Sequence, residues 1–572
     1  MLTCPRQAPR LRIGVMLDSP SLPRVSKAVL EDVRASDFAE LVTVIRNDEP
    51  HDSGETPATG LKRYLRTLTD PHRRRYALFS GYEGILEPRL AYPNDPLETE
   101  DCSDVIQGAT VIGVRPIVSK FVHRFPAEAI AAIRAENLDV ILRFGFNILR
   151  GEVLETARYG VWSYHHGDNE FYRGLPPGFW EMAEGSHVTG VILQRLTEAL
   201  DAGLVLARAH FSTHSVLSAA RNRFGPYWGS RHFVIQKLRE LYRDGWDAVA
   251  ARGFPTPAYR GQRKLYRRPT NLDVLGWVTR RVLPDIAVKL RHRGSLETWR
   301  IGLRQSATPL YRESMPDLST FTWTTCPKGR FWADPFLIEH QGKPWVFFED
   351  FDFATAKGII SCAPVEAGGT VGSVETVLEQ PYHLSYPSVF AAGCEIYMIP
   401  ETSANGTIEL YRARKFPFDW VLEKPLLNSR GLDTTVFQTD GRWWMLTTPD
   451  LGENHAAITL LYSAPNLLGP WTQHAASPVL TDVRSARSGG AVHREPGTDR
   501  LIRVGQNCAG GYGLSLCFSE ILELSDARYR ERVTATVQPS GVAGLRGVHT
   551  YNQAGTWEVI DGKWLLPAKT IL

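Results

Sequence analysis

Between residues 11 and 210, short apolar runs alternate with amphipathic stretches, as in a largely parallel sheet covered by helices. LRIGVML (11–17) predicts a buried strand, a helix starting near Arg24 follows, and LVTVIRN (41–47) predicts the next strand. The alternation continues through ATVIGV (109–114), the helix PAEAIAAIRAEN (126–137), DVILRFGF (139–146), YGVWSYHH (159–166) and VTGVILQRL (188–196). Residues 48–100 are rich in turn formers and predict no clear element, whereas 227–252 predicts one amphipathic helix.

From about residue 320 the pattern changes to short strands punctuated by turns. FWADPFLI (331–338), SYPSVF (385–390), LDTTVF (432–437), RSGGAVH (487–493) and RGVHTYN (546–552) recur at a spacing of about 50 residues. Each is followed by a second apolar strand: 342–349, 394–401, 441–448, 499–506 and 562–569. Five such units predict the blades of a β-propeller. Nine of the 15 Trp fall in this half, where large side chains can fill the space between adjacent sheets.

The expected architecture is multidomain: an α/β, Rossmann-like domain over 1–225, a helical, basic connector over 226–315, and an all-β five-bladed propeller over 316–572. The length of 572 residues accommodates this comfortably. The formal charge of +3 gives no reason to propose nucleic acid as a partner. It conceals a local excess, because 257–304 holds twelve basic residues against Asp273, Asp285 and Glu297. Two readings fit that stretch: a helix with a solvated basic face, or contact with an anionic surface such as a membrane or a phosphorylated acceptor. The seven scattered cysteines include no Cys-x-x-Cys, so neither a disulfide framework nor a structural zinc site is expected. The first ten residues carry no apolar signal-peptide core, and no run approaches the length of a membrane span. The expected compartment is the cytoplasm, with peripheral attachment to the inner membrane left open.

The densest chemistry lies in SYHHGDNEFYRGLPPGFWEMAEG (163–185) and the VTGVILQRLTEALDAG that follows at 188–203. Aligning Arg173-Gly174 with an Arg-Gly pair brings His165, Pro177, Trp180, Gly185, Thr189-Gly190-Val191, Leu200-Asp201 and Gly203 into one ungapped register. In this register the segment resembles the formyltransferase family, which includes methionyl-tRNA formyltransferase and the sugar N-formyltransferases. The resemblance covers about residues 10–215. It implies transfer of a formyl group from 10-formyltetrahydrofolate to an amine, with no metal required.

By the same resemblance, His165 handles the proton, Asp201 orients its imidazole, and the family's catalytic Asn falls on Ser163. Such chemistry needs a donor for the tetrahedral oxyanion and a base near neutral pKa. Ser163 could keep the oxyanion role, act through a water, or mark an altered or lost activity. Strand alternation turns His165 and His166 to opposite faces, and His166 takes over only if a bulge reverses them; His166 and Arg173 are the expected acceptor contacts. The folate pocket is expected around Phe144, Gly145, Phe146 and Asn147. The small β-barrel that follows the catalytic domain of the transfer-RNA enzyme is not apparent, which argues against initiator transfer RNA as acceptor.

In the second half, Ala333-Asp334-Pro335-Phe336 and Leu432-Asp433-Thr434-Thr435 resemble the propeller furanosidases of glycoside hydrolase family 43. They are similar also to the propeller at the N-terminus of plant glucosaminyl inositolphosphorylceramide transferases. Glycosidic cleavage requires paired carboxylates. Asp334 and Asp433 match two of the family's three, but Arg487 stands near where the acid is expected. Glu401 and His549 could project toward the same centre, and Trp332, Tyr386 and Arg487 would suit a charged sugar. The resulting expectation is folate-dependent formylation of an amino sugar or glycoconjugate, a small-molecule or glycan substrate selected by the propeller. The alternatives are hydrolysis or glycosyl transfer from the propeller beside a degenerate first domain, and a non-catalytic glycan-binding scaffold. Oligomeric state is not legible.

Overall fold

The computed structural model describes residues 9–49, 64, 68–199, 203–254, 258–450, 455–495 and 497–572. The chain divides into two compact units, Met1–Asp285 and Ile286–Leu572.

The first unit is built on a seven-stranded sheet. Its strands are β1 (Leu11–Leu17), β2 (Ala39–Asn47), β3 (Thr110–Val114), β4 (Val140–Arg143), β5 (Val161–His165), β6 (Val188–Arg195) and β7 (Leu204–Ser212), in the order β7-β6-β5-β4-β1-β2-β3. β1 to β5 pair in parallel, whereas β6 and β7 join antiparallel. Helices cover the parallel part, so Ile13, Val15, Val140, Ile141 and Val161 are fully buried and the central strands read as continuous apolar runs. α1 (Arg24–Arg34) buries Val25, Ala28, Val29 and Val33 on one stripe, and α2 (Ala127–Ala135) buries Ala129, Ile130 and Ile133.

The stretch expected to be one helix over 227–252 is three: α3 (Ala219–Gly229), α4 (His232–Asp244) and α5 (Trp246–Ala251). Gly245, at φ +79, ends α4 in a conformation that no helix interior accepts. α6 (Asn271–Trp277) starts on a capping box in which Thr270 and Asp273 satisfy each other's backbone. It also buries Trp277 edge-on against Tyr82 and Phe179. Residues of the expected connector thus belong to the core of the first unit. Its basic excess is partly neutralised there, with Arg263 paired to Asp273 at 2.7 Å and Arg268 to Glu83 at 2.8 Å. Among the described residues, no helix is long and apolar enough to cross a membrane.

The second unit consists of five four-stranded antiparallel sheets. The first to close in sequence order contains β8 (Arg330–His340), β9 (Lys343–Asp352), β10 (Lys357–Pro364) and β11 (Glu375–Leu378). The next three sheets open with β12 (Ser385–Ala392), β13 (Gly431–Thr439) and β14 (Ser488–Arg494). The fifth joins both ends of the unit: Ser295–Gln305 pairs along its whole length with Trp557–Pro567, which also pairs with Tyr551–Ala554. Residues 295–305, expected in the connector, are therefore a strand of this sheet. In sequence they read only as a basic stretch, because their partner lies some 250 positions away.

The inner strands share a local irregularity. Register breaks between Ala333 and Phe336, Ser385 and Ser388, Leu432 and Thr435, and Ser488 and Val492. Asp334 (φ 51), Tyr386 (φ 44) and Asp433 (φ 46) sit in these bulges with left-handed backbone. Such a conformation costs on the order of 1–3 kcal/mol at a non-glycine residue and re-aims the side chain out of the strand's alternation. Its repetition at three equivalent places puts Asp334, Tyr386 and Asp433 together in the interior.

Candidate functional site

In the first unit, the C-terminal ends of β1, β4 and β5 meet, the usual place for ligands on an open α/β sheet. Two cavities flank the end of β5. The larger, about 220 Å³, is lined by Asp18, Val25, Arg143, Phe144, Gly145, Phe146, Ser163, Tyr164, His166, Tyr227 and Ser230, among others. The smaller, about 160 Å³, is lined by Arg143, Ile148, Leu149, Ser163, Tyr164, His165, Gln194 and the loop from Leu196 to Ala199. Arg143, Ser163 and Tyr164 border both, so the two spaces meet across them.

His165 and His166 face different cavities, and no bulge reverses them, because β5 keeps a continuous register with β6 up to His165. His165 Nε2 lies 3.0 Å from the Tyr172 carbonyl. A carbonyl only accepts, so this contact puts a proton on Nε2. His166 stacks on Tyr227 with ring centroids 3.5 Å apart. Burial, and then the neighbouring His165 and Arg223, push its pKa down to about 3, so it is a neutral, stacked wall. Ser163 is buried. Its Oγ accepts from Arg143 Nη1 at 3.1 Å and donates to the Tyr164 carbonyl at 3.2 Å.

The remaining expected residues are dispersed. Phe144, Gly145 and Phe146 line the His166 cavity, whereas Ile148 and Leu149 line the one that holds His165. At Gly145 the crowding comes from the chain itself, since a Cβ there would lie 2.5 Å from Asp18 N. Asn147 is exposed, and its N–H donates to His123 Nδ1 at 3.3 Å. Arg173 lies over the Tyr259 ring, with Nε donating to the Asn169 carbonyl at 2.9 Å. Asp201 lies outside the described residues. Arg143 was missed in sequence: one Arg in DVILRFGF carries no signal until the register pairs it with Ser163 on the adjacent strand.

The second unit gathers a different kind of cluster. Asp433 receives Arg487 through Nε at 2.6 Å and Nη2 at 3.1 Å, and Gln506 Nε2 at 2.7 Å. Glu401 accepts from the Asp433 N–H at 3.3 Å and lies 4.0 Å from Arg487. Burial and the Asp433 charge push Glu401 up to about 8 against the opposing pull of Arg487. Asp334 lies 3.2 Å from His549 Nε2, and Asp561 lies 2.6 Å from His549 Nδ1. Burial alone would lower His549, but Asp561 and Asp334 outweigh it and raise it to about 10. Glu349, buried beside this group, is held well above the ordinary carboxyl range by burial and by the charge of Asp334.

Asp334, His549 and Asp561 have the spacing of a metal-ligand set. Each ring nitrogen of His549 has a carboxylate within 3.2 Å, so the group also has the arrangement of an ion triad. Tyr386 is fully buried, taking the Gly490 N–H at 2.8 Å and bonding Thr435 Oγ1 at 2.9 Å, and Trp332 is also buried. Both therefore pack the interior. Glu349 and Asp561 were not singled out in sequence; the Asp-Gly pair at 561–562 reads as a turn signal but lies inside the strand Trp557–Pro567.

Comparison with known proteins separates the two halves in the same way. Residues 313–558 match the family model described as glucosamine inositolphosphorylceramide transferase 1, N-terminal. The rice (Oryza sativa subsp. japonica) protein named glucosamine inositolphosphorylceramide transferase 1 is 36% identical over 207 residues, 35% of this chain and 27% of that protein. Its Arabidopsis thaliana namesake is 35% identical over 240 residues, 41% of this chain and 30% of that protein. A methionyl-tRNA formyltransferase of Phenylobacterium zucineum (strain HLK1) is 39% identical over 107 residues, 18% of this chain and 34% of that protein. The chain spans about a third or less of the length of each of these curated relatives. It thus joins a formyltransferase-like segment to one similar to the N-terminal part of the plant transferases.

Proposed function

We propose that the first unit transfers a formyl group from 10-formyltetrahydrofolate to the amine of an amino sugar or glycoconjugate. The observation that carries this reading is the meeting of two cavities at one strand end, with His165 bordering one of them. A two-substrate transfer needs that arrangement: donor and acceptor enter separately and their reacting atoms meet at a shared wall. The donor's flat ring suits the cavity edged by Ile148, Leu149 and Leu196. The acceptor suits the one edged by Asp18, His166 and Tyr227, where polar and aromatic groups face each other.

In this reading His165 takes the proton released when the neutral amine attacks the formyl carbon and returns it to N10 of the departing tetrahydrofolate. The experiment is tetrahydrofolate release from 10-formyltetrahydrofolate with glucosamine and other amino sugars. Release that His165→Ala abolishes supports the reading, and no release with any of these amines sinks it.

The second unit we read as a five-bladed propeller closed by the pairing of Ser295–Gln305 with Trp557–Pro567. It would hold the glycan part of the acceptor, in keeping with the named activity of the plant relatives. A second reading gives this unit its own sugar chemistry. It is favoured by Glu401, a carboxyl group raised by burial beside Asp433, since glycosidic cleavage pairs a raised carboxylic acid with a second carboxyl group. Hydrolysis of aryl furanosides that is lost in Glu401→Gln would establish it.

A further inference from the structure

Among the described residues lining the larger cavity, Asp18 is the one carboxylate, and it stands just past the end of β1. Two donors meet on one of its oxygens. Phe146, in a left-handed backbone at φ 62, gives its N–H to Asp18 Oδ1 at 2.7 Å, and Asn47 at the end of β2 gives Nδ2 at 2.8 Å. These bonds fix the carboxyl plane, and Asp18 is exposed, with no hydrogen-bond or ion-pair partner on Oδ2 among the described residues. A carboxylate oxygen only accepts, so what completes it is a donor brought by a ligand. The same wall carries Val25, Val29, Leu97 and Tyr227, apolar surface suited to the carbon face of a ring. Phe146 also links Asp18 to the wall that the two cavities share. Its N–H goes to Asp18 and its carbonyl to Arg143, which borders both spaces. A hydroxyl at Asp18 and an amine at the shared wall can therefore belong to one ring.

Resting on the formyl-transfer reading, we infer that Asp18 determines acceptor specificity: its Oδ2 accepts a hydrogen bond from a hydroxyl of the amino sugar and so selects a hydroxylated ring amine over a plain one. The substitution Asp18→Asn isolates that oxygen. The Phe146 and Asn47 donors both need an acceptor, so the amide carbonyl keeps the Oδ1 place and the NH2 group takes the place of Oδ2. An acceptor becomes a donor of the same size, and the anchoring of the strand end is retained.

The test compares wild type with Asp18→Asn in tetrahydrofolate release from 10-formyltetrahydrofolate, with glucosamine and with cyclohexylamine, a ring amine that lacks hydroxyls. Calorimetric titration gives the Kd of glucosamine and of 10-formyl-5,8-dideazafolate. In Asp18→Asn the KM and Kd of glucosamine should rise by about 10- to 100-fold, the range of a lost hydrogen bond to a charged group. Its kcat, the cyclohexylamine kinetics and the analogue Kd should stay within about 3-fold of wild type, as expected when only acceptor binding is lost. Glucosamine KM and Kd that do not change overturn the inference and leave formyl transfer standing. An equal loss with cyclohexylamine also overturns it, because the amine and not a hydroxyl then meets Asp18, and so does an equal loss in analogue binding. A wild type that releases no tetrahydrofolate with either amine removes the formyl-transfer reading. The glucosamine Kd then decides the subsite by itself: a Kd that Asp18→Asn raises supports it, and an unchanged Kd or no binding removes it.

Discussion

The strand end at Ser163 and the cluster around Asp433 both gather polar groups on buried backbone, yet they dispose of their charges in opposite ways. In the second unit each ionised carboxylate meets a cation of the protein: Asp433 has Arg487, and Asp334 and Asp561 share His549. In the first unit a guanidinium and an imidazole stand at the walls of two cavities, with carbonyls and a hydroxyl among their partners. Carbonyl partners orient a cation without cancelling its charge, whereas carboxylate partners do both. The first places a guanidinium and an imidazole beside open space; the second pairs its charges between neighbouring sheets, Asp433 with Arg487 and Asp334 with His549. Similar residue types in a sequence therefore carry different meanings, decided by what lies across the next strand.

The sharpest way to break this comparison is to exchange the roles. His165→Ala should lower tetrahydrofolate release by about 100-fold or more with an unchanged circular-dichroism melt, whereas Asp334→Asn should leave release from a small amino sugar unaltered. Arg487→Met should act the other way round. It leaves Asp433 as an uncompensated buried charge and should cost about 3–5 kcal/mol of second-unit stability, read by chemical denaturation, with little change in donor binding.

The pH responses of His549 and His166 should also oppose each other. His549 is raised from 6.5 to about 10, so its contribution is complete below pH 6.5 and is lost as pH rises through about 10. Glu401, raised from 4.5 to about 8, adds a loss of the same sign between those values. His166 is lowered from 6.5 to about 3, so its contribution to the first unit is lost as pH falls across that window. Hydrogen exchange followed separately in each unit should find this crossing, and Asp561→Asn should flatten the alkaline limb of the second. The smallest effect expected is that of Tyr386→Phe. Removing the hydroxyl that accepts from Gly490 and bonds Thr435 should cost about 1–3 kcal/mol and leave folate chemistry untouched.

Much of the framework is legible in the chain. The runs at 11–17, 139–146, 159–166 and 188–196 contain β1, β4, β5 and β6, because buried parallel strands are uninterrupted apolar segments. The paired motifs of the second half form antiparallel hairpins, since a tight turn between alternating strands is a local signal. What stayed hidden was decided by distance or by a single dihedral angle. Gly245 breaks a stretch whose amphipathic period alone predicts one helix, and Ser295–Gln305 finds its partner at the other end of the unit. The bulges at Asp334 and Asp433 bring together side chains that strand alternation alone would not. Arg143 illustrates the limit for the candidate site: it meets Ser163 only through the β4–β5 register.

The most direct measurement is a crystal structure with 10-formyl-5,8-dideazafolate bound. The account predicts the ring system in the cavity edged by Ile148, Leu149 and Leu196, with the formyl group turned toward Ser163 and His165. The formyl carbon should lie within reach of His165 and open toward Tyr227. A ligand seated in the Tyr227 cavity with its formyl group turned away from His165, or bound only in the second unit, would contradict it.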